Sequence, residues 1–543
     1  MLYYNLIGII YRKEGRMTDI CSYHTFILPV VMSGTGKAIH SFDQITKCFD
    51  RNFYWKRSDP KDKNSFPDEE NFRSYYKEYQ YFYPQVRNAI YGNDGSIVRS
   101  YSFAAENVHE KAHYYITKRN RTYDLLINAI RLKVYNTGVA LFIMECENHG
   151  RDKFGNKQDS FADIKNINDY GRRITLPFIP EKPEFSICAD KLEISIPELS
   201  ISFGSDFRSF IENVNQSNTP KELINLNHLC DFVKSIINYG GDYCFSTNGE
   251  KDAPKNAFRL RLALDDRMFV ACIAINGDEA KAMLATDQNK SFDEERRYAY
   301  ETDEKLSKSL YEFIFVDPAG DCTCQSGTMR KSLLEEHVYK RWFDYGSIYG
   351  LAAQSIVFLF DGSVDHLIES FLTVYEKIAC LCIVQRASIV EFQKELANLS
   401  IQIHDKGNRM RTSTITLLMD LQERFAAFES QICFTEISCQ EQAIEIYEAM
   451  TKFFFIDDEM ANIKSQLAVL NEAANTYLDF GFNKVGYIFT ILGGIFGVLG
   501  LSWLGTDNAV MMGPHDKMIL INSFGFGALV WISVFWHYRR RRN

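Results

Sequence analysis

Two long uncharged runs near the end of the chain constrain its fold more than any other feature. Val485 to Leu504 reads VGYIFTILGGIFGVLGLSWL, and Met518 to Trp536 reads MILINSFGFGALVWISVFW. At about 1.5 Å per residue, helices of that length match the roughly 30 Å core of a bilayer. A polar connector, 505–517, joins them, and the basic tail 537–543 carries four arginines. Lys484 and those arginines outweigh the lone Lys517 of the connector, which places both chain ends on the cytoplasmic side. The expectation is a multi-pass protein of the cell inner (plasma) membrane, with 485–504 and 518–536 as its two transmembrane helices.

A chain of 543 residues exceeds one ordinary core and calls for several domains. Its formal net charge of −9 argues against direct nucleic-acid binding, although it leaves room for a local basic pocket. Leu6–Ile10 is too short and lacks a clear cleavage site, so no secretory leader is expected. The thirteen cysteines are scattered, and the close pairs Cys322/Cys324 and Cys380/Cys382 lack C-x-x-C spacing. They read as reduced, buried thiols.

Residues 1–330 read as a cytoplasmic α/β sensor region, with a subdomain break near 150–180. His24 to Met32 is strand-like. Ile130–Val134 and Val139–Met144 flank the turn Asn136-Thr137-Gly138 and predict a hairpin. Phe258, Leu260, Leu262 and Leu264 alternate with Arg259, Arg261 and Ala263, and Asp265-Asp266 turns the chain into Met268–Ile275, a second expected hairpin. Residues 331–484 read as a helical region. Within it Ile446, Ala449, Phe453, Ile456, Met460, Ile463, Leu467, Leu470, Ala474 and Tyr477 keep a 3-4-3-4 spacing. The expectation is a coiled-coil stalk around an oligomer axis; the alternative is one amphipathic helix packed inside its own subunit.

Three motifs suggest chemistry. His109-Glu110-Lys111-Ala112-His113 matches H-E-x-x-H, in which two histidines one helical turn apart hold zinc and the glutamate acts as base. Ser33-Gly34-Thr35-Gly36-Lys37 is similar to a phosphate loop but lacks its first glycine and closing hydroxyl, and reads as a turn. Two basic clusters, Arg172-Arg173 ahead of an expected strand at Ile174–Phe178, and Lys340-Arg341-Trp342, offer guanidinium groups for phosphate and rings for base stacking. They are the expected ligand-binding residues.

Asn483-Lys484-Val485-Gly486-Tyr487-Ile488-Phe489-Thr490-Ile491 resembles the N-x-V-x-x-x-x-T-I entry to the pore helix of CorA-type divalent-cation channels. The resemblance implies a pore lined by Asn483, Thr490, Gly497 and Asn508, although Gly505-Thr506-Asp507-Asn508 stands in place of the family's Gly-Met-Asn. Through His24–Pro29 and Tyr339–Trp342 the chain is also similar to CorA-like membrane effectors that accompany type III CRISPR systems. That resemblance implies a homo-oligomer, a pentamer, in the lipid bilayer. Its channel would be gated in antiviral defence by a small nucleotide messenger of the S-adenosylmethionine-AMP type. No enzymatic activity and no obligatory cofactor are implied, with magnesium as a permeant or regulatory ion. A housekeeping-type metal ion transporter, or a membrane-anchored zinc hydrolase using His109, Glu110 and His113, are the alternatives. The expected fold class is an α+β cytoplasmic domain, a long helical stalk and a C-terminal two-helix transmembrane hairpin, CorA-like.

Overall fold

The computed structural model describes residues 20–33, 42–58, 69–92, 95–104, 112–216, 231–241, 245–246, 258–286, 297–362, 365–404 and 412–504. Two compact units emerge among them, one from 1–391 with 427–459 and the other from 392–426 with 460–504.

The first unit is built on a 14-stranded mixed sheet. Its strands are β1 (Ser22–Ser33), β2 (Trp55–Arg57), β3 (Val98–Phe103), β4 (His113–Lys118), β5 (Arg121–Tyr135), β6 (Val139–Asn148), β7 (Lys191–Ile196), β8 (Ile201–Asp206), β9 (Phe245–Ser246), β10 (Phe258–Leu262), β11 (Phe269–Ile275), β12 (Val338–Tyr339), β13 (Ser347–Ala352) and β14 (Ser355–Phe360). The main path runs β12-β13-β14-β11-β1-β6-β5-β4-β7-β8. All pairings are antiparallel except β11 with β14 and β9 with β10. Strand β1, apolar from Phe26 to Met32, takes a central place in the sheet with both its faces buried. The β5–β6 hairpin forms as expected around Gly138, whose φ of 84° suits a residue without a Cβ. A bulge between Ile127 and Ala129 divides β5 between two partners, β4 below it and β3 above.

The second expected hairpin does not form. Strands β10 and β11 both pair with β1, end to end along one side, against Val30–Ser33 and Ser22–Ile27 respectively. Pro29 sits in the gap with its carbonyl accepting from Ala263 N at 3.1 Å, and on that side proline has no N–H to return. The ladder is interrupted, and residues 263–268 loop away from the sheet.

The expected fold class is corrected in two respects. The stalk is neither continuous nor unpartnered. Helices Glu441–Phe453 and Ile456–Leu504 are separate, divided at Phe455, which adopts a left-handed φ of 54°. In the second unit, the seam residues Met460, Ile463, Leu467 and Ala474 are buried within a single chain. The same unit buries Leu396, Leu399, Leu418, Leu421 and Phe425 of helices Glu376–His404 and Thr412–Ile432. For this segment the seam follows the alternative of packing inside its own subunit.

The second correction concerns the membrane. No helix among the described residues is long and apolar enough to cross one. The first expected span forms the end of helix Ile456–Leu504, and 518–536 lies outside the described residues. Absence of charge is a weaker property than apolarity: the first run holds five glycines together with Tyr487, Thr490, Ser502 and Trp503. The two-helix hairpin, the ion-channel reading built on it and the multi-pass inner-membrane placement therefore lose their structural basis.

Candidate functional site

The interruption of the sheet at Pro29 opens a cavity of about 340 Å³ in the first unit. That volume lies within the range of small-molecule sites, about 300–1,000 Å³. Besides Pro29 itself, four pieces of chain line it: the loop at Leu264–Phe269, the β13–β14 turn at Ala353–Gln354, Arg386 and Val390 of helix Glu376–His404, and Phe453–Phe455 at the helix break. Cations and aromatic rings thus line the same cavity.

Each piece is held by identifiable bonds. The loop is clamped by Met268 N donating to Arg172 O at 2.8 Å and by Ile174 N donating to Asp266 O at 3.2 Å. Arg172 is the last residue of helix Phe161–Arg172, which begins with a capping box between Ser160 and Asp163. Gly171 lets this helix approach the sheet: a Cβ there would lie 2.8 Å from Ile116 Cδ1 and 2.9 Å from Phe26 Cζ. The β13–β14 turn is tied down by Val270 N, which donates to Gln354 O at 3.0 Å. Helix Glu376–His404 is docked on the sheet by the buried pair Arg131–Glu376 at 2.9 Å and by the bidentate pair Arg261–Glu391. Gln385 extends that anchoring by donating to Ile432 O at 2.9 Å, and Arg386 follows it in sequence. The fourth piece is fixed by Phe454 N bonding to Met450 O at 3.0 Å and Glu459 N bonding to Phe455 O at 3.1 Å. Phe455 therefore closes one helix and opens the next.

The cationic groups differ in how they are held. Arg267 is bound by its neighbour Asp265, with Nε at 2.9 Å and Nη2 at 2.5 Å. Burial raises the Asp266 carboxyl to about 6, helped by a hydrogen bond with Asp265 and by its charge. Asp265 is held below its ordinary value: burial opposes this, and hydrogen bonds from Asp266 and Arg267 overcome it. Arg386 approaches Glu459 at 3.5 Å, yet its buried Nη1 makes no hydrogen bond among the described residues. On the apolar side the rings of Phe269 and Phe454 stack at 6.2 Å with 30° between their planes.

The expected ligand residues lie elsewhere. Arg172 is 1% exposed and donates to Gln354 Oε1 at 2.7 Å and Val316 O at 2.8 Å, while facing Asp169 at 3.6 Å. Burial lowers its guanidinium to about 10. Arg173 pairs with Asp169 at 2.8 Å, and the expected strand after it is absent. These two arginines back the cavity wall and do not line it. Lys340 is paired with Glu301 at 3.2 Å, and Arg341 with Glu441 at 3.1 Å and with Glu445. Trp342 contacts Tyr345 edge-on at 5.7 Å. None of these three lines the cavity, and the two basic clusters form no common site.

The remaining candidates divide by whether the structure describes them. His109 and Glu110 lie outside the described residues, as does Asn508. His113 belongs to strand β4, not to a helix, and contacts Asp124 at 2.7 Å. Asn483, Thr490 and Gly497 belong to helix Ile456–Leu504, where Thr490 donates to Gly486 O at 2.9 Å. No group of three or more His, Cys, Asp or Glu among the described residues is arranged to hold a metal ion.

Sequence reasoning missed Arg267, Gln354, Arg386 and Phe454–Phe455 as site residues. Two signals for them were present. A proline inside an otherwise apolar strand marks an interrupted ladder. The acidic trio Asp457-Asp458-Glu459 after Phe453-Phe454-Phe455 marks a helix start inside the supposed continuous seam.

No family model, no curated protein and no solved structure matches the chain. The CorA-type resemblance therefore rests on the residues quoted for it.

Proposed function

We propose that this protein is a ligand-responsive sensor whose cavity at the Pro29 gap binds a small anionic molecule with a planar ring, a mononucleotide-class ligand. One observation carries the reading: Arg267 and Arg386 share a 340 Å³ cavity with Phe269 and Phe453–Phe455. Guanidinium groups bind phosphate in a fork geometry, and aromatic rings stack on bases with little regard to sequence. The cavity suits one nucleotide and not a nucleic-acid chain, in keeping with the net charge of −9. A nucleotide messenger is thus the part of the sequence expectation that the site supports.

Calorimetric titration with adenosine monophosphate, adenosine and inorganic phosphate tests it. The reading expects saturable binding of the monophosphate, at least tenfold weaker binding of adenosine, and at least tenfold loss in Arg386→Ala and Arg267→Ala. Equal affinity for adenosine and its monophosphate, or binding that survives both substitutions, would overturn it.

A further inference from the structure

We infer that Glu459 is a built-in competitor for the ligand's anionic group, so that occupancy of the cavity is sensed at the first turn of helix Ile456–Leu504. The inference rests on the binding site proposed above and assigns its regulation. Both cavity arginines face an internal carboxylate, but the two pairs are not equivalent. Asp265 is a sequence neighbour of Arg267 and makes two hydrogen bonds to it, at 2.9 and 2.5 Å. Glu459 reaches Arg386 across from another helix, stops at 3.5 Å, and leaves the buried Arg386 Nη1 without a hydrogen bond. A buried guanidinium nitrogen held only by a long ion pair is incompletely satisfied, and an anion able to approach within hydrogen-bond distance is favoured over the present partner.

The position of Glu459 gives that exchange a consequence. Its backbone N–H makes the first helical bond of the new helix, to Phe455 O at 3.1 Å, directly after the left-handed Phe455. Acidic residues at this turn stabilise the helix start through the partial positive charge of the exposed N–H groups. A phosphate that takes over Arg386 releases Glu459 from that ion pair, at the turn where an acidic residue favours the helix start. Glu459 is therefore a positioning residue: it regulates the site through Arg386 and is not a required ligand contact.

Calorimetry with adenosine monophosphate on the full chain and on Glu459→Gln tests this, with Glu441→Gln, which alters an exposed pair of Arg341 away from the cavity, as control. Glu459→Gln is expected to tighten binding about tenfold and Glu441→Gln to leave it unchanged. Amide exchange across 456–463 is expected to change on adding the monophosphate in the parent chain and to change much less in Glu459→Gln. If the parent chain binds and Glu459→Gln binds equally or more weakly, the competitor role is wrong while the binding site stands. If neither protein binds the monophosphate, the site assignment itself fails and the competitor role falls with it. Binding by Glu459→Gln alone supports both.

Discussion

Arg172 and Arg386 show how little a residue type says about its task. Both are arginines near the same cavity, yet Arg172 lies behind its wall, bonded to Gln354 and Val316, while Arg386 lines it. Removing the buried Arg172 leaves the Gln354 and Val316 acceptors without their donor, while Asp169 keeps its pair with Arg173, so Arg172→Ala is expected to lower unfolding free energy by about 1–3 kcal/mol in urea titration. Arg172→Lys should recover little of that, because one ammonium cannot reproduce the fork. Arg386→Ala should change stability by under about 1 kcal/mol, as expected of a partly exposed, poorly bonded pair. The local sequence DYGRR announced cations; only the tertiary contacts of Gln354 and Val316 decide that Arg172 faces inward. A second residue-scale expectation concerns acid. Burial lowers His24 to about 4, although its hydrogen bond with Asn168 at 2.7 Å opposes the shift. The unfolded chain, with an ordinary histidine near 6.5, then binds more protons than the fold between those values. Stability should therefore fall as pH drops from 6.5 to 4, by up to about 3 kcal/mol from this group. His24→Gln should flatten that part of a pH-dependent unfolding profile; an unchanged slope would show that other groups cause it.

Elements were legible where period and turn chemistry agreed. The β5–β6 hairpin was readable because an alternating run, Ile130–Val134, and an apolar run, Val139–Met144, met at a glycine turn. The β10–β11 pair was not, since alternation and an Asp-Asp turn fit a hairpin as well as two strands sharing one side of β1. Pro29, on the partner strand, decides between them. The helix break was hidden in the same way: Phe453 and Ile456 keep heptad spacing through Phe455, a residue whose φ ends the helix. At φ 54° a side chain with a Cβ is strained by roughly 1 kcal/mol, and Phe455 is 60% exposed, so it recovers little through burial. Phe455→Gly should accordingly raise stability by about 1 kcal/mol in thermal or urea unfolding. The same substitution should weaken monophosphate binding several-fold by removing a ring from the cavity. A loss of stability would mean that the aromatic contact outweighs the backbone strain.

For the whole molecule, the α/β character was legible, but not the extent of a single 14-stranded sheet. That extent arises from pairings among strands far apart in sequence, such as β11 with β14, which no local pattern records. The uncharged run at 485–504 was visible, whereas its lack of charge overstated its apolarity. Burial of Leu467 within one chain sets a whole-molecule expectation. Leu467→Ala should cost about 2–4 kcal/mol, with an unfolding midpoint independent of protein concentration. A midpoint rising with concentration would show that the seam is completed by another copy. The central claim, that the cavity at the Pro29 gap holds a mononucleotide-class ligand, is tested most directly by photolabelling. An azido derivative of adenosine monophosphate is crosslinked to the intact protein, and the labelled peptides are mapped by mass spectrometry. The account expects saturable label on 264–269, 386–390 and 453–455, competed by unmodified monophosphate. Competed label on Lys340–Tyr345, or no saturable label anywhere, would contradict it.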